Sequence, residues 1–210
     1  MRFWKTLTIN KPPRVGFGVA TYLNGDDGER RFHQLSVLLS SLRSQTYSNW
    51  QAIVVHDGPI ADAKRRRAVD ALADDRVRLM VTPERLSKFG HPHRQTVIDA
   101  LTQSCGWIGL TNDDNYYVPV YLEWLMHEAQ KSRADFVYAD MVHSHRQWKM
   151  LLTAPRRGKL DLGGFLVRSD LCKTVPFDNF DFAGDGVWIN KLVKKAKRVV
   201  KVSATLFVHN

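Results

Sequence analysis

The chain has 210 residues, of which 44% are hydrophobic and 10% aromatic; these proportions exclude a largely disordered protein and suit one large domain. No apolar run approaches the roughly 18 residues that span a bilayer, and residues 1–10 lack the apolar core of a signal peptide. The formal net charge of +10 favours anionic partners, namely nucleotide diphosphates, lipid phosphates or nucleic acid, without distinguishing among them.

The first half of the chain alternates short β-prone runs with stretches of helical spacing. Strands are predicted at 15–20, 51–57, 77–81 and 107–110, and helices at 32–42, 61–72 and 93–101. This alternation predicts βαβ units and a largely parallel sheet.

The second half is less regular. Predicted elements are a helix at 121–131, a strand at 135–139, a helix that begins at Gly184, and two short strands at 199–202 and 206–209. The polar and basic segment 143–159 shows no clear period. We interpret residues 1–210 as one domain, in which 13–118 form a nucleotide-binding half and 119–210 an acceptor half.

Cysteines and basic clusters add two expectations. Cys105 and Cys172 lie in apolar surroundings without metal-ligand spacing, which predicts packed thiols in a reducing, cytoplasmic compartment. Basic residues cluster at 64–67, 156–159 and 191–201, where they suit phosphate groups; for 64–67 a solvated helix face is the alternative.

Polar residues follow three predicted strands of the first half, at 21–24, 57–58 and 112–115. Because the carboxyl ends of parallel strands meet at one edge of a sheet, these tips predict a ligand crevice. Asp113 and Asp114 repel each other unless a cation intervenes, and hard divalent ions favour oxygen ligands. Asp57-Gly58 is also a common turn dipeptide, so a plain turn is the alternative there.

Longer segments resemble a known family. Ala-Thr-Tyr-Leu-Asn at 20–24, Ser-Leu-Arg-Ser-Gln-Thr-Tyr-Ser-Asn-Trp at 41–50 and Val-Val-His-Asp-Gly at 54–58 are similar, in this order, to the start of family 2 glycosyltransferases. The segment Gly-Trp-Ile-Gly-Leu-Thr-Asn-Asp-Asp-Asn-Tyr-Tyr-Val-Pro at 106–119 is similar to the family's Asp-x-Asp strand. The likeness resumes at 163–171, 182–185 and 206–209, and so covers nearly the whole chain.

The resemblance implies a fold and an activity. The fold is an α/β GT-A fold, with a mixed, mostly parallel central sheet flanked by helices. The activity is inverting transfer of a sugar from a UDP- or GDP-linked donor to a hydroxyl acceptor, assisted by Mn²⁺ or Mg²⁺. The acceptor is a glycan, a lipid-linked molecule or a small molecule, as in polysaccharide biosynthesis. For the basic surface, peripheral contact with an anionic membrane and simple phosphate binding both stay open, and no nucleic-acid partner is expected.

The resemblance also implies site residues, carried over position by position. Asp185 corresponds to the general base, and Asp114 and His209 correspond to metal ligands. The implied donor-binding residues are Thr21, Tyr22, Asn24, Asp57, Arg94, Asn112, Asp113, Gly163 and Gly164.

Some of these positions have a second interpretation or depart from the family. A surface arginine at a helix start is the alternative for Arg94, and a helix N-cap is the alternative for Asp185. Asn112 replaces the family's first aspartate, which should weaken metal binding, and a shifted pairing of Asp113 with Asn115 remains open. Gly184 replaces the glutamate that usually precedes the base.

Three other functions remain alternatives. A nucleotidyltransferase shares strand-end carboxylates, but it more often has a Gly-rich basic loop after its first strand. A non-catalytic nucleic-acid-binding domain would suit the net charge, and its affinity would fall steeply with salt but ignore chelators. A catalytically weak relative would explain the two missing carboxylates.

Overall fold

The computed structural model describes residues 12–210, so the expectation about residues 1–10 lies outside the described part of the chain. The strands are β1 (Val15–Thr21), β2 (Trp50–His56), β3 (Val77–Val81), β4 (Trp107–Asn112), β5 (Tyr116–Tyr117), β6 (Phe136–His143), β7 (Lys149–Leu151), β8 (Phe165–Arg168) and β9 (Val199–His209). The helices are α1 (Gly28–Arg43), α2 (Ala63–Asp70), α3 (Arg94–Leu101), α4 (Tyr121–Ser132), α5 (Ser169–Thr174) and α6 (Gly184–Lys195). Within residues 12–210, none of the helices has the length and apolar character needed to cross a bilayer.

All the described strands join one sheet in the order β3-β2-β1-β4-β8-β6-β9-β5, with β7 paired to β6. β1 pairs in parallel with β2 and β4, and β2 pairs in parallel with β3. β8 is antiparallel to both β4 and β6, while β6 and β9 are parallel. The predicted mixed α/β sheet is therefore confirmed, with its run of parallel strands in the first half.

The central strands are buried on both faces, which explains why their sequences are continuously apolar. Successive residues of β2 alternate between two hydrophobic cores: Val54 packs in the core with Phe17 and Leu38, whereas Ile53 and Val55 pack in the other. Helices α1 and α4 contribute to the first core, and α3 and α6 to the second. Both cysteines are buried and free, as the sequence predicts.

The end of the chain differs from the sequence prediction. The two short strands expected at 199–202 and 206–209 form one strand, β9, which follows β6 from Phe136 to His143. Register shifts around Asp140 absorb the polar interruption, so β9 remains paired across it. Pairing along β6 therefore overrides a break that periodicity alone indicates.

Several element boundaries also move. Helix α1 begins at Gly28, four residues before the predicted start at 32, because its first turn is polar and mostly exposed and carries no apolar period. Strand β4 extends through Asn112, so the polar tip belongs partly to the strand. Segment 143–159 contains the short edge strand β7, which periodicity missed.

Candidate active site

An open cleft of about 730 Å³ lies where β1, β2 and β4 end. The parallel register of these strands brings their carboxyl ends to the same edge, where ligands bind in open α/β sheets. Six of the implied site residues line the cleft: Thr21, Tyr22, Asn24, Asp57, Asn112 and Asp114. The cleft is therefore built from the three polar tips that the sequence singles out.

Asp57 anchors one wall of the cleft. Its carboxylate accepts hydrogen bonds from His93 Nε2 at 2.7 Å and from the backbone amides of Leu86 at 2.7 Å and Ser87 at 2.8 Å. Burial alone would raise the pKa of Asp57, but these hydrogen bonds outweigh it and hold the pKa below its ordinary value. Asp57 is thus an ionised anchor as well as part of a turn.

The segment that Asp57 holds has an unusual backbone. Ser87, Lys88 and Phe89 have φ values of 58°, 50° and 61°, in the left-handed region that non-glycine residues rarely adopt. The two amide bonds to Asp57 help to hold this conformation, and all three residues line the cleft. Strain held at a ligand cleft is typical of functional sites.

Tyr22 and Asn24 form the neighbouring wall. The Tyr22 ring stacks on His56 with 5.7 Å between centroids, and the Arg85 guanidinium lies 3.7 Å from the centre of the Tyr22 ring. Asn24 donates to the Pro59 carbonyl at 2.7 Å and accepts from the Ala61 amide at 3.0 Å. The Asn24 amide therefore fixes the loop after β2, and Asn24 also lines the cleft.

Asp113 lies beneath the cleft, with its side chain fully buried. Its carboxylate accepts from the Thr21 hydroxyl at 2.6 Å and from Arg31, whose Nε lies at 3.1 Å and whose Nη2 bonds the other oxygen. Burial raises the pKa of Asp113 to about 6, although Arg31 and Thr21 oppose this rise. Asp113 is therefore turned away from any ligand and orients Arg31, which lines the cleft.

Asp114 has the opposite orientation. It lines the cleft, and its Oδ1 atom is buried without a hydrogen-bond partner among the described residues. Asn115 is buried and donates to the Thr111 hydroxyl at 2.9 Å. The geometry therefore favours Asp114 over the Asp113–Asn115 pairing as the carboxylate that meets a cation.

Arg94 is not a surface residue, because it is only 2% exposed. Its guanidinium donates to the Thr111 carbonyl at 2.6 Å and to the Asn112 side-chain oxygen, while Nε has no partner among the described residues. Burial lowers the pKa of Arg94 to about 10, so it stays charged at neutral pH. Because Asn112 is neutral, Arg94 places a buried positive charge directly behind the cleft.

Asp185 lies in the first turn of α6. The N-cap position is Ala183, so the N-cap alternative for Asp185 is wrong; its Oδ1 instead accepts from the Gly186 amide at 2.6 Å. Burial raises the pKa of Asp185, and the nearby charge of Asp161 adds to this rise. A carboxylate with a raised pKa is suited to accept a proton.

Gly184 has no room for a side chain. A Cβ at this position would clash with the Asn179 carbonyl oxygen and lie 3.0 Å from His91 Nδ1. The loop before α6 is therefore packed closely against this backbone. A glutamate at position 184 would require that loop to move, which explains physically how this chain departs from the family pattern.

The remaining implied residues lie together on the other side of β4. Gly163 approaches the Phe207 ring so closely that a Cβ would overlap it, and its carbonyl accepts from the Tyr121 hydroxyl at 3.1 Å. Gly163 and Gly164 are both buried. The close approach at Gly163 is thus to a core ring, and neither glycine is among the residues that line the cleft.

His209 ends β9 beside an aspartate that the sequence reasoning missed. His209 Nδ1 lies 3.5 Å from Asp161 Oδ2, and Asp161 Oδ1 accepts from the Gly163 amide at 2.9 Å. The Asp161 charge also acts on Arg94 and Asp185. Asp161 therefore connects His209 electrostatically with the base candidate, although the sequence offers no motif that marks it.

Four site residues were missed in all: Arg31, Arg85, His93 and Asp161. Each acts through a partner distant in sequence, such as Asp113 for Arg31 and Asp57 for His93. Only Arg31 carried a signal, since it is a basic residue shortly after the polar tip at 21–24. Among residues 12–210, no three His, Cys, Asp or Glu side chains are placed to hold a metal by themselves.

Replacing Arg31 tests its pairing with Asp113. Arg31→Gln leaves a fully buried carboxylate without its charged partner, so we expect the free energy of unfolding to fall by about 2 kcal/mol at pH 7.5. Arg30→Gln is the matched control, because Arg30 is the adjacent, exposed arginine of the same helix. Urea denaturation measures both, and equal stability of the two variants would contradict the assignment.

His91 predicts a pH dependence of stability. It is 5% exposed, and burial lowers its pKa to about 4, with the Arg94 charge adding to the effect. Below the unfolded pKa of 6.5 the unfolded chain binds a proton that the folded chain excludes, so stability falls as the pH falls. Between pH 6.5 and pH 5 we expect a loss of about 1.5 kcal/mol from this residue.

Urea denaturation across this pH range measures the loss. His91→Gln should flatten the dependence, whatever its stability at pH 7.5, whereas replacing the exposed His33 by Gln should leave it unchanged. An unchanged slope in His91→Gln would show that other groups cause the dependence.

Comparisons with known proteins agree with this geometry. The sequence model described as glycosyl transferase family 2 matches residues 30–184, more than half of the chain. A comparison with curated protein sequences gives no match.

Solved structures share the fold. The crystal structure of S. aureus TarS 1-349 matches with a TM-score of 0.73 and 15% identity, covering 94% of this chain and 60% of that chain. The complex of the same fragment with UDP gives a TM-score of 0.73 at 14% identity, with 93% and 60% coverage. Its complex with UDP-GlcNAc gives 0.72 at 14% identity, with 93% and 58% coverage. The chain thus spans about 60% of the length of this fragment, and at such identity the likeness establishes the GT-A fold.

Proposed function

This chain belongs to glycosyl transferase family 2, and we propose that it transfers a sugar from a nucleotide-diphosphate donor to a hydroxyl acceptor with inversion at the anomeric carbon. The observation that carries the proposal is the cleft at the ends of β1, β2 and β4, which has an anchored carboxylate, Asp57, in one wall and an unpartnered one, Asp114, in another.

We propose a uridine nucleotide as the donor. The TarS structures that share this fold were solved with UDP and with UDP-GlcNAc. Asp57 lines the cleft as a fixed acceptor, which suits a planar base with an N–H donor, and Tyr22 lies beside it with the Arg85 guanidinium over its ring. Arg31, which bonds Asp113 and lines the same cleft, would meet the diphosphate in this arrangement.

The residues present fit a divalent metal at Asp114. Its Oδ1 is buried and has no hydrogen-bond partner within residues 12–210, and a carboxylate oxygen is the ligand type that Mg²⁺ and Mn²⁺ prefer. Mg²⁺ is commonly held by one or two protein groups plus substrate phosphates, so a site without three clustered protein ligands is compatible with it. His209 Nδ1 is likewise buried and, in the described part of the chain, meets only Asp161 Oδ2 at 3.5 Å without a hydrogen bond, and we propose His209 as a second ligand. When bound, the metal would neutralise charge on the departing diphosphate.

We propose Asp185 as the general base. Its carboxylate takes the proton of the acceptor hydroxyl while that oxygen bonds to the anomeric carbon and the bond to the diphosphate oxygen breaks. The electron pair of the broken bond leaves with the diphosphate. Arg94, buried behind Asn112, and Arg31 add positive charge where that negative charge develops.

Thermal denaturation with candidate donors tests the proposal. Unfolding is followed with UDP-GlcNAc, UDP-glucose, UDP-galactose or GDP-mannose, each with Mn²⁺ or with EDTA, and with uridine as a control that lacks phosphates. A cognate donor at about 100 times its Kd should raise Tm by about 5 °C, and more with Mn²⁺ than with EDTA.

Absence of stabilisation by every nucleotide-sugar would overturn the proposal. Binding of the donor without transfer to any acceptor would indicate the catalytically weak relative. Salt-sensitive, chelator-insensitive binding of nucleic acid in its place would indicate the nucleic-acid-binding domain.

A further inference from the structure

One face of the sheet is apolar but uncovered at the end that carries β7. Four strands place one residue each in a single hydrogen-bonded row: Tyr116 pairs with Val208, Val208 with Val142, and Val142 with Met150. The next row, on the opposite face, is core, and it includes Tyr117 and Phe207. Because strand side chains alternate between faces, the first row points away from the core.

The row continues into an exposed apolar stripe along β7. Trp148, Met150 and Leu152 alternate along the chain and are 58%, 59% and 71% exposed. Single exposed apolar residues are common on protein surfaces, whereas a contiguous group of large exposed apolar side chains marks an interaction site. The stripe and the row meet at Met150, so they form one surface, which we name the β7 surface.

The segment that carries the stripe has charges of one sign. Residues 141–160 contain no Asp or Glu, and their Arg and Lys side chains are all exposed: Arg146, Lys149, Arg156, Arg157 and Lys159. This composition differs from that of the chain as a whole, which contains 21 acidic residues. A partner that complements both the basic residues and the apolar side chains therefore has an anionic surface and an apolar interior.

We propose that the β7 surface docks on an anionic lipid bilayer. Tryptophan favours the bilayer interface, methionine and leucine gain from the acyl boundary, and lysine and arginine are attracted to lipid phosphates. A nucleic acid would satisfy the basic residues, but it would leave Met150 and Leu152 facing phosphates and water. The exposed Met150 and Leu152 side chains, together with the basic residues of segment 141–160, thus favour the bilayer.

The basic segment beside the β7 surface lies close to the start of α6, so docking would affect the reaction. Arg157 packs on the start of α6, where a Cβ at Gly186 would lie 2.5 Å from Arg157 Cγ. Gly186 is adjacent to Asp185, so the basic segment lies beside the proposed base. If the proposed function holds, docking here brings the acceptor side of the site to the membrane surface. The docking itself does not depend on that function.

Co-sedimentation with vesicles tests the proposal. The vesicles are pure phosphatidylcholine, or phosphatidylcholine with about 30% phosphatidylglycerol, in about 100 mM NaCl. The test variant combines Trp148→Asn, Met150→Thr and Leu152→Ser; asparagine suits Trp148 because φ there is 59°. The matched control combines Val37→Thr and Trp124→Asn, two exposed apolar residues outside the segment.

We expect the wild type and the control to bind the anionic vesicles, and the test variant to bind them at least about tenfold more weakly. Binding of the test variant equal to that of the wild type would overturn the proposal, as would binding of the wild type to nucleic acid but not to anionic vesicles. Thermal stabilisation by UDP, measured on the same proteins, should be equal in all three. That readout separates a failure of lipid docking from a failure of donor binding.

Discussion

Replacing Asp185 with asparagine is expected to lower kcat for sugar transfer by about 1,000-fold, because the variant lacks the group that takes the acceptor proton. Asparagine retains an oxygen that can accept from the Gly186 amide, so the start of α6 should keep its structure. Stabilisation by the donor should therefore be unchanged. Radiolabelled sugar transfer measures kcat, and thermal denaturation measures donor binding.

The pH profile gives a second readout of the same residue. The proposed role requires ionised Asp185, so we expect the rate to fall as the pH falls through the pKa of Asp185. Because burial raises this pKa, the acid limb should lie above the ordinary range for an aspartate. Asp181→Asn is the matched control, since Asp181 is an exposed aspartate in the loop before α6. Full activity in Asp185→Asn, or an unchanged acid limb in its residual activity, would contradict the assignment.

Replacing Asp114 with alanine is expected to remove the metal dependence of donor binding. The wild type should be stabilised more by UDP with Mn²⁺ than by UDP with EDTA, whereas Asp114→Ala should respond equally to both. We expect kcat/KM for transfer to fall by about 100- to 1,000-fold, because charge on the leaving diphosphate is no longer neutralised. Titration calorimetry of UDP with and without Mn²⁺ measures the coupling.

Uridine serves as the control ligand for Asp114→Ala, because it lacks the diphosphate that the metal would contact. Its affinity should be equal in the wild type and the variant. If Mn²⁺ still strengthens UDP binding to Asp114→Ala, the metal is held elsewhere. An unfolded variant would show no uridine binding, so loss of structure is distinguishable from loss of the metal ligand.

The sequence predicted the site where the signal was local. Apolar runs that end in polar residues marked Thr21, Asp57 and Asn112 as strand tips, and the parallel sheet brought these tips to one cleft. Periodicity failed where pairing overrides it: β9 is one strand because β6 supports it throughout. It also failed for β7, since three residues are too few to show a period.

The sequence alone determined the order of elements in the first half of the chain, the family and the strand tips, because apolar periodicity and tip chemistry are properties of neighbouring residues. The tertiary structure decided which aspartate faces the cleft. Arg31 reaches Asp113 across 82 positions of sequence and holds it beneath the surface, whereas Asp114 lines the cleft with its Oδ1 unpartnered among the described residues. The tertiary structure also decided that Gly184 has no room for the family's glutamate, because Asn179 packs against the Gly184 backbone. These outcomes depend on burial and on contacts between distant segments, and such contacts exist only once the chain has folded.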